Sequence, residues 1–377
     1  MQTIDIIIQK PAYGGYGLGF HNGKACFVQY AVPGDEMTVE LIKEKKDYSF
    51  GRIIKISKRS EQRIEAECPN FGICGGCDYL NINYDTELRF KKEILIETLK
   101  RSRIDEKDIP KVADINANRF HYRSHASIKF SKSAFGFFEK ESNEIAGFPE
   151  AGCLLLAEEL LQKLDTLPKS GTEIKIAWSG KSGCVSSFNK NRKIIENECG
   201  INYERDVALF FQANRFLRKR MLETTAEYAA LDTNRSFIDI GCGVGFFTLH
   251  LAKSAQKAFG IDISKESISW AKRNVKLNGI TNAQFRTMTA SQISSVKECF
   301  EAVIADPPRA GLSAKAREAV KAKSPGRIVY VSCDPATFAR DACDFTGSGY
   351  RLERLTMIDM FPGTHHIETI SLFRRSV

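Results

Sequence analysis

Ser236-Phe237-Ile238-Asp239-Ile240-Gly241-Cys242-Gly243-Val244-Gly245 decides the fold of this chain. A strand-like apolar run passes directly into alternate glycines, and residues 247–253 then carry a helical pattern. A glycine-rich turn after a strand lets backbone amides approach a nucleotide-like ligand at the carboxyl edge of a parallel sheet. The next strand pattern, 258–261, ends in Asp262, about twenty residues beyond the turn, where a carboxylate reaches ribose hydroxyls. Position 246 is phenylalanine, so G-x-G-x-x-G is incomplete and no pyrophosphate cradle follows. That favours S-adenosylmethionine, which carries no phosphates, over NAD.

Outward from this turn, strand and helix patterns alternate from about residue 206, which predicts a doubly wound, mostly parallel α/β domain. Residues 266–277 read as a helix, 283–286, 302–305 and 328–331 as strands, and 350–359 and 367–373 as segments closing the sheet. Asp306-Pro307-Pro308-Arg309 follows one strand and Ser332-Cys333-Asp334-Pro335 another, just before a helical pattern. A cysteine where a strand turns into a helix sits at the positive end of the helix dipole, where its thiolate is favoured. Thr364-His365-His366-Ile367-Glu368 supplies a carboxylate downstream.

A thiol and a carboxylate together suit covalent methyl transfer to a carbon of a nucleic-acid base. C5 of uracil is too weak a nucleophile to take a methyl group directly. A thiolate adding to C6 places electron density on C5, and a base then removes the C5 proton so that the thiol leaves. Asp306-Pro307-Pro308 also resembles the Asp/Asn-Pro-Pro-Tyr/Phe motif of N-methyltransferases, with Arg309 in the aromatic position. N-methylation of a base or amide is therefore the alternative, and a non-catalytic RNA-binding protein a third reading.

At 377 residues and 43% apolar content, the chain predicts two or three domains with real cores. The expected division is 1–58, 59–205 and 206–377. Residues 1–58 read as short strands broken by turns, which predicts an oligonucleotide-binding (OB) type barrel. Its later half carries Lys43, Lys45, Lys46, Arg52, Lys55, Lys58 and Arg59, while Tyr13, Tyr16 and Phe20 offer stacking faces for RNA. A net charge of +9 has the sign for a polyanionic partner. No secretory signal and no membrane-length apolar stretch are read, so a cytoplasmic monomer is expected. The eleven cysteines should then be reduced, metal-bound or catalytic.

Cys68, Cys74 and Cys77 stand in a C-x5-C-x2-C spacing, with glycines that let the backbone curl around one point. Thiolates prefer zinc or iron–sulfur, and spacing leaves both open. A fourth ligand must come from elsewhere, and Cys153 is the best placed. Cys26, Cys184, Cys199, Cys299 and Cys343 read as buried small residues. Residues 120–130, 134–138, 174–178 and 184–188 read as strands of a central β-rich domain.

Three blocks carry a resemblance over nearly the whole chain: 306–312, 330–337 and 359–368, joined by the cysteine segment and the Gly-Tyr-Gly-Leu-Gly barrel. Together they resemble the iron–sulfur-containing RNA 5-methyluridine methyltransferases with an N-terminal TRAM domain, of the 23S rRNA type. The resemblance implies a Rossmann-like class I methyltransferase domain, an OB-like RNA-binding barrel and a central iron–sulfur domain. It implies Cys333 as nucleophile and Glu368 as base, working at or slightly above an ordinary carboxylate pKa. Gln212, Gly241, Asp262, Thr289 and Asp306 match cofactor positions. Cys68, Cys74, Cys77 and Cys153 match the ligands of a [4Fe–4S] cluster. The implied substrate is a flipped uridine, in ribosomal RNA or, as an alternative, transfer RNA. Two departures stand out: Gly241 replaces a usual aromatic, and Asp334 replaces the usual asparagine after the nucleophile, a charge that opposes thiolate formation.

Overall fold

The computed structural model describes residues 2–131, 134–168 and 171–376; Met1, Lys132, Ser133, Lys169, Ser170 and Val377 lie outside the described residues. Strands β1 (Thr3–Ala12), β2 (Tyr16–His21), β3 (Lys24–Gln29), β4 (Glu36–Glu44) and β5 (Tyr48–Lys58) close a barrel in the order β1-β2-β3-β5-β4. Alternation along β1 turns Ile4, Ile6 and Ile8 inward against Cys26, Val28, Met37 and Val39. The buried Asp35 carboxylate accepts from Val32 N (2.7 Å), Ser60 N (2.9 Å) and the Arg63 guanidinium (2.7 Å), fastening the barrel to the chain that leaves it.

After the cysteine segment come α1 (Tyr84–Arg101) and the short β6 (Ala113–Ile115). The central sheet uses β7 (His125–Phe130), β8 (Phe135–Phe138), β9 (Ile145–Gly147), then, beyond the one-turn α2 (Glu158–Leu161), β10 (Glu173–Ser179) and β11 (Gly183–Ser186). Its order is β11-β10-β7-β8-β9, and β12 (Lys193–Glu198) with β13 (Ile201–Asp206) forms a separate hairpin. Residues 120–124, read as the start of a strand, lie outside the ladder; Arg123 makes only isolated bridges to Leu156 and Asn214.

The C-terminal part follows as α3 (Arg218–Ala229), β14 (Ser236–Ile240), α4 (Phe246–Ala252), β15 (Lys257–Asp262), α5 (Lys265–Leu277), β16 (Ala283–Thr287) and β17 (Ala302–Ala305). It is completed by α6 (Ala314–Lys323), β18 (Arg327–Ser332), α7 (Pro335–Thr346), β19 (Tyr350–Ile358) and β20 (Glu368–Arg375). The sheet order is β16-β15-β14-β17-β18-β20-β19-β6. β14 to β18 pair in parallel, and β20 runs antiparallel to both neighbours.

The expected boundary at residue 205 does not describe one connection. β6 pairs with β19 at the sheet edge, and α1 buries Leu88, Ile94, Leu95 and Leu99 in the same core as Phe338, Phe345 and Phe373. Residues 84–115 therefore pack as part of the C-terminal sheet domain although they precede the central sheet. Burial of this stripe, not the proximity of the segments in sequence, decides where the helix docks. Among the described residues no helix is long and apolar enough to cross a membrane.

Candidate active site

Parallel strands release their chains at one edge of the sheet, so the turns after β14, β15, β17 and β18 gather there. Gly241 adopts φ +79°, and a Cβ on it would stand 2.5 Å from the Asp306 carbonyl oxygen. Both facts favour glycine at this position in this chain. Gly243, at φ +53°, has nothing within 4 Å of its Cβ direction and donates its amide to Asp262 Oδ2 (3.0 Å). Asp262 Oδ1 accepts from Ser264 N (2.8 Å), which fixes this carboxylate beside the open glycine turn.

Two more carboxyls surround that turn. Asp239 is fully buried; Oδ2 accepts from Thr248 Oγ1 (2.5 Å) and Oδ1 has no hydrogen-bond partner among the described residues. Burial pushes its carboxyl up to about 7. Asp306 is pushed up to about 8 by burial, reinforced by the charges of Asp239 and Asp262. Such a concentration of carboxyls favours a cationic ligand.

Gln212 is buried ahead of α3, where its backbone carbonyl accepts from Arg218 Nε (2.7 Å). Thr289 is exposed, and both its amide (2.9 Å) and its hydroxyl (3.0 Å) engage Gln292 Oε1, which caps the 3-10 turn that follows. The preceding Met288 donates to the Asp262 carbonyl (3.0 Å), which ties this turn to the same edge of the sheet.

The reacting pair is set by strand register. The β18–β20 ladder ends with Ser332 opposite Thr369, so Cys333 and Glu368 flank its last pair, near enough for the Glu368 charge to raise the thiol. Glu368 is 6% exposed, and its Oε2 has no hydrogen-bond partner among the described residues. Burial, with added repulsion from Asp306 and Asp359, holds its carboxyl well above the usual range, further than the sequence led us to expect.

The thiol departs from expectation in the same direction. Cys333 is pushed up to about 11 by burial, then by the Glu368 and Asp306 charges, with Asp334 adding and Arg309 opposing. Asp334, not Cys333, takes the N-cap of α7, where its Oδ1 accepts from Thr337 N (2.8 Å). The helix end thus already faces a carboxylate, and the dipole that was expected to favour a thiolate is partly spent.

A network that the sequence reading did not name fixes the loop before Glu368. On α1, Lys91 Nζ donates to Glu87 Oε1 (2.8 Å), Asp359 Oδ1 (2.7 Å) and the Phe361 carbonyl (3.2 Å), all within the interior. Glu87 Oε1 also accepts from Gly363 N (2.7 Å), Glu87 Oε2 from Arg119 (3.0 Å), and Asp359 Oδ2 from Tyr84 OH (2.9 Å). The available signal was Glu87 and Lys91 one helical turn apart among Leu88, Phe90, Ile94 and Leu95, charges on an apolar face that must find partners. His366 is pushed down to about 3 by burial together with His365 and Arg309, so it is neutral and faces the Arg309 guanidinium (3.2 Å). Tyr13 does not offer a free stacking face. Its hydroxyl donates to Asp334 Oδ2 (3.2 Å), and its ring meets His365 edge-on at 5.6 Å.

Away from the sheet edge, Cys68, Cys74, Cys77 and Cys153 all line one cavity of about 580 Å³. Burial pushes the Cys77 thiol far up, with Cys153, Cys74 and Cys68 adding to the effect, so these sulfurs lie within electrostatic reach of one another. Among the described residues no group of three or more His, Cys, Asp or Glu side chains could hold a single metal ion as it stands. Of the cysteines read as buried, Cys26 is buried, Cys184, Cys199 and Cys343 are half-buried, and Cys299 is exposed.

The family described as tRNA (Uracil-5-)-methyltransferase matches residues 186–376, and the TRAM domain matches residues 1–54. An Aquifex aeolicus protein named as an uncharacterized RNA methyltransferase is 31% identical, with 98% of each chain covered. A Vibrio parahaemolyticus protein named as a 23S rRNA uracil-C5-methyltransferase is 29% identical over 98% of this chain and 95% of its own. The Pyrococcus abyssi tRNA (uracil-54, C5)-methyltransferase, solved with S-adenosyl-L-homocysteine, superposes with a TM-score of 0.77. It is 23% identical and covers 98% of this chain and 100% of its own, which establishes a shared fold.

Proposed function

The chain belongs to the tRNA (uracil-5-)-methyltransferase family, and we propose that it methylates C5 of a uridine in large-subunit ribosomal RNA through a transient Cys333–C6 bond. S-adenosylmethionine is the methyl donor, and the N-methylation alternative is set aside by the family match. The observation that supports the mechanism is that Cys333 and Glu368 flank the last β18–β20 pair, with the Glu368 charge bearing on the thiol. Ribosomal RNA is favoured by the relatives named for the 23S molecule. Transfer RNA is the second reading, supported by the description of the matched family.

The residues present suit the donor. Gly243 leaves a space that a side chain would fill, Asp262 stands at its rim, and the Asp306 backbone closes on Gly241 beside it. When bound, S-adenosylmethionine supplies an electrophilic methyl group on a cationic sulfonium. The Cys333 sulfur gives its electron pair to C6, and the C5–C6 π pair moves into the ring as an enolate. C5 would gain the methyl group as the sulfonium carbon–sulfur bond breaks to leave a neutral thioether, Glu368 would take the C5 proton, and the C6–sulfur bond would break to restore the ring and the thiolate. Arg309 is the cation set against the thiol, so it favours the ionised sulfur. Burial favours the neutral form of Glu368, and its dry setting makes it a strong base once ionised. Phe20, exposed on β2, and the lysine-bearing strands of the barrel would hold the RNA.

The cysteine cavity suits an iron–sulfur cluster. Four thiol donors line one space, which Glu139 and Glu141 also border, and thiolates on separate corner irons stand farther apart than ligands gripping one ion. Cys68, Cys74, Cys77 and Cys153 would hold a [4Fe–4S] group, which would supply a rigid link between the central sheet and the cysteine segment.

The test is covalent trapping. RNA carrying 5-fluorouridine has no C5 proton to remove, so the purified protein with its methyl donor should form a stable adduct. Cys333→Ser should form none. Methylation of ordinary RNA by Cys333→Ser at the wild-type rate would defeat the mechanism. Mapping 5-methyluridine in ribosomal and transfer RNA from cells with and without the protein decides the substrate.

A further inference from the structure

The segment that follows the third cysteine is bonded directly to the loop that presents the base. Asp78 N and Tyr79 N both donate to the Gly363 carbonyl, at 2.8 and 3.1 Å. In return, Asp78 Oδ2 accepts from His365 N (2.8 Å) and faces His365 Nδ1 at 2.7 Å. Asp78 Oδ1 is held by Lys140 Nζ (2.6 Å), whose backbone amide donates to the Ile73 carbonyl in the cysteine segment (2.9 Å). Asp78 is buried, so these partners are its substitutes for water.

From this geometry we infer that Asp78 is a positioning residue for Glu368, through which the placement of the cysteine segment reaches the proton-abstraction step. The inference rests on the role proposed for Glu368. His365 is three residues before Glu368, and a chain fixed at 363 and 365 has little freedom to misplace 368. Gly363 adds to this, because its amide is itself held by Glu87 from the other side. The nucleophile is fixed by different means: Cys333 follows β18 and precedes the α7 cap, neither of which contacts Asp78 through a hydrogen bond. Loss of Asp78 should therefore act on one half of the reaction.

That asymmetry can be measured. Adduct formation with 5-fluorouridine RNA needs Cys333 and methyl transfer but no removal of a C5 proton, whereas turnover on uridine RNA needs both. Asp78→Ala in the full-length, iron-containing protein should lower kcat on uridine RNA by roughly 10- to 100-fold, the cost of about 1 Å of misplacement. Its rate of 5-fluorouridine adduct formation should stay within about twofold of the parent, and methylated protein–RNA adduct should accumulate on uridine RNA. Asp78→Asn keeps an acceptor for the His365 amide and should recover part of kcat. His365→Ala, which keeps Asp78 and the backbone bond, should show a smaller effect of the same kind. Equal loss of adduct formation and turnover in Asp78→Ala, or no loss of either, overturns the inference. Absence of any adduct in the parent protein would instead overturn the covalent mechanism itself.

Discussion

Asp334→Asn should make the nucleophile faster. Asn caps a helix as well as Asp, so Thr337 N keeps its acceptor and α7 its start. What is removed is a negative charge on the residue next to Cys333 that raises the thiol. With the thiol at about 11, roughly one Cys333 in ten thousand is ionised at pH 7. A unit charge on the neighbouring residue of a partly solvated edge, at an effective dielectric between those of protein and water, is worth about 1 kcal/mol. That is roughly 0.7 of a pKa unit, or about five times more thiolate. A less basic sulfur is a poorer nucleophile, and a Brønsted slope of about 0.45 returns about a factor of two. The net expectation is a two- to threefold faster adduct rate with 5-fluorouridine RNA at pH 7, followed as a gel-shifted band. In the parent, the thiolate is the reactive form and lies above neutral pH, so the adduct rate should climb about tenfold per pH unit between 7 and 9. A slower Asp334→Asn adduct at pH 7, or a flat pH profile in the parent, would refute the electrostatic reasoning.

Glu368→Gln keeps the shape of the buried side chain and removes the base. Turnover on uridine RNA should fall by roughly 10²- to 10⁴-fold while the methylated adduct accumulates, visible as a covalent complex in a denaturing gel. Lys91→Met leaves Glu87 and Asp359 buried with one partner fewer; a loss of about 3 to 5 kcal/mol should appear as a lower melting temperature. Cys77→Ser should reduce iron and acid-labile sulfide to a small fraction of the parent value in anaerobically purified protein, whereas Cys299→Ser, at an exposed site, should leave both unchanged.

The parts of this molecule that were legible in the sequence are those written in local patterns. The strand, glycine turn and helix around Gly241 follow from alternation and from a backbone that only glycine permits, and β14 and α4 lie within a residue of where the pattern puts them. The barrel is legible for the same reason, since inward isoleucines at every second position leave β1 no other face to bury. β6 was missed because three residues cannot display a period, and its place beside β19 is decided only when the sheet edge exists to receive it. The Glu87–Lys91–Asp359 network was missed because its members are 4 and 268 positions apart, and only the docking of α1 brings the third within reach.

Reactivity is the least local property. The motifs identify Cys333 and Glu368 as a thiol and a carboxyl of the right kind, but their ionisation is set by groups that converge from separate elements. Asp306 comes from the end of β17, Asp334 from the cap of α7, Glu368 from the start of β20, and Arg309 from the turn beyond Asp306. A helix dipole argument uses only the residues next in sequence, so it predicted a thiolate. Burial and three carboxyls outweigh it, because a charge leaving water inside a field of its own sign loses more than the end of one helix returns. The same convergence raises Glu368, so burial works against ionisation of both the thiol and the carboxyl. Under the proposed mechanism Cys333 gives up its proton before it adds to the ring, and the pH profile of adduct formation reads that step directly.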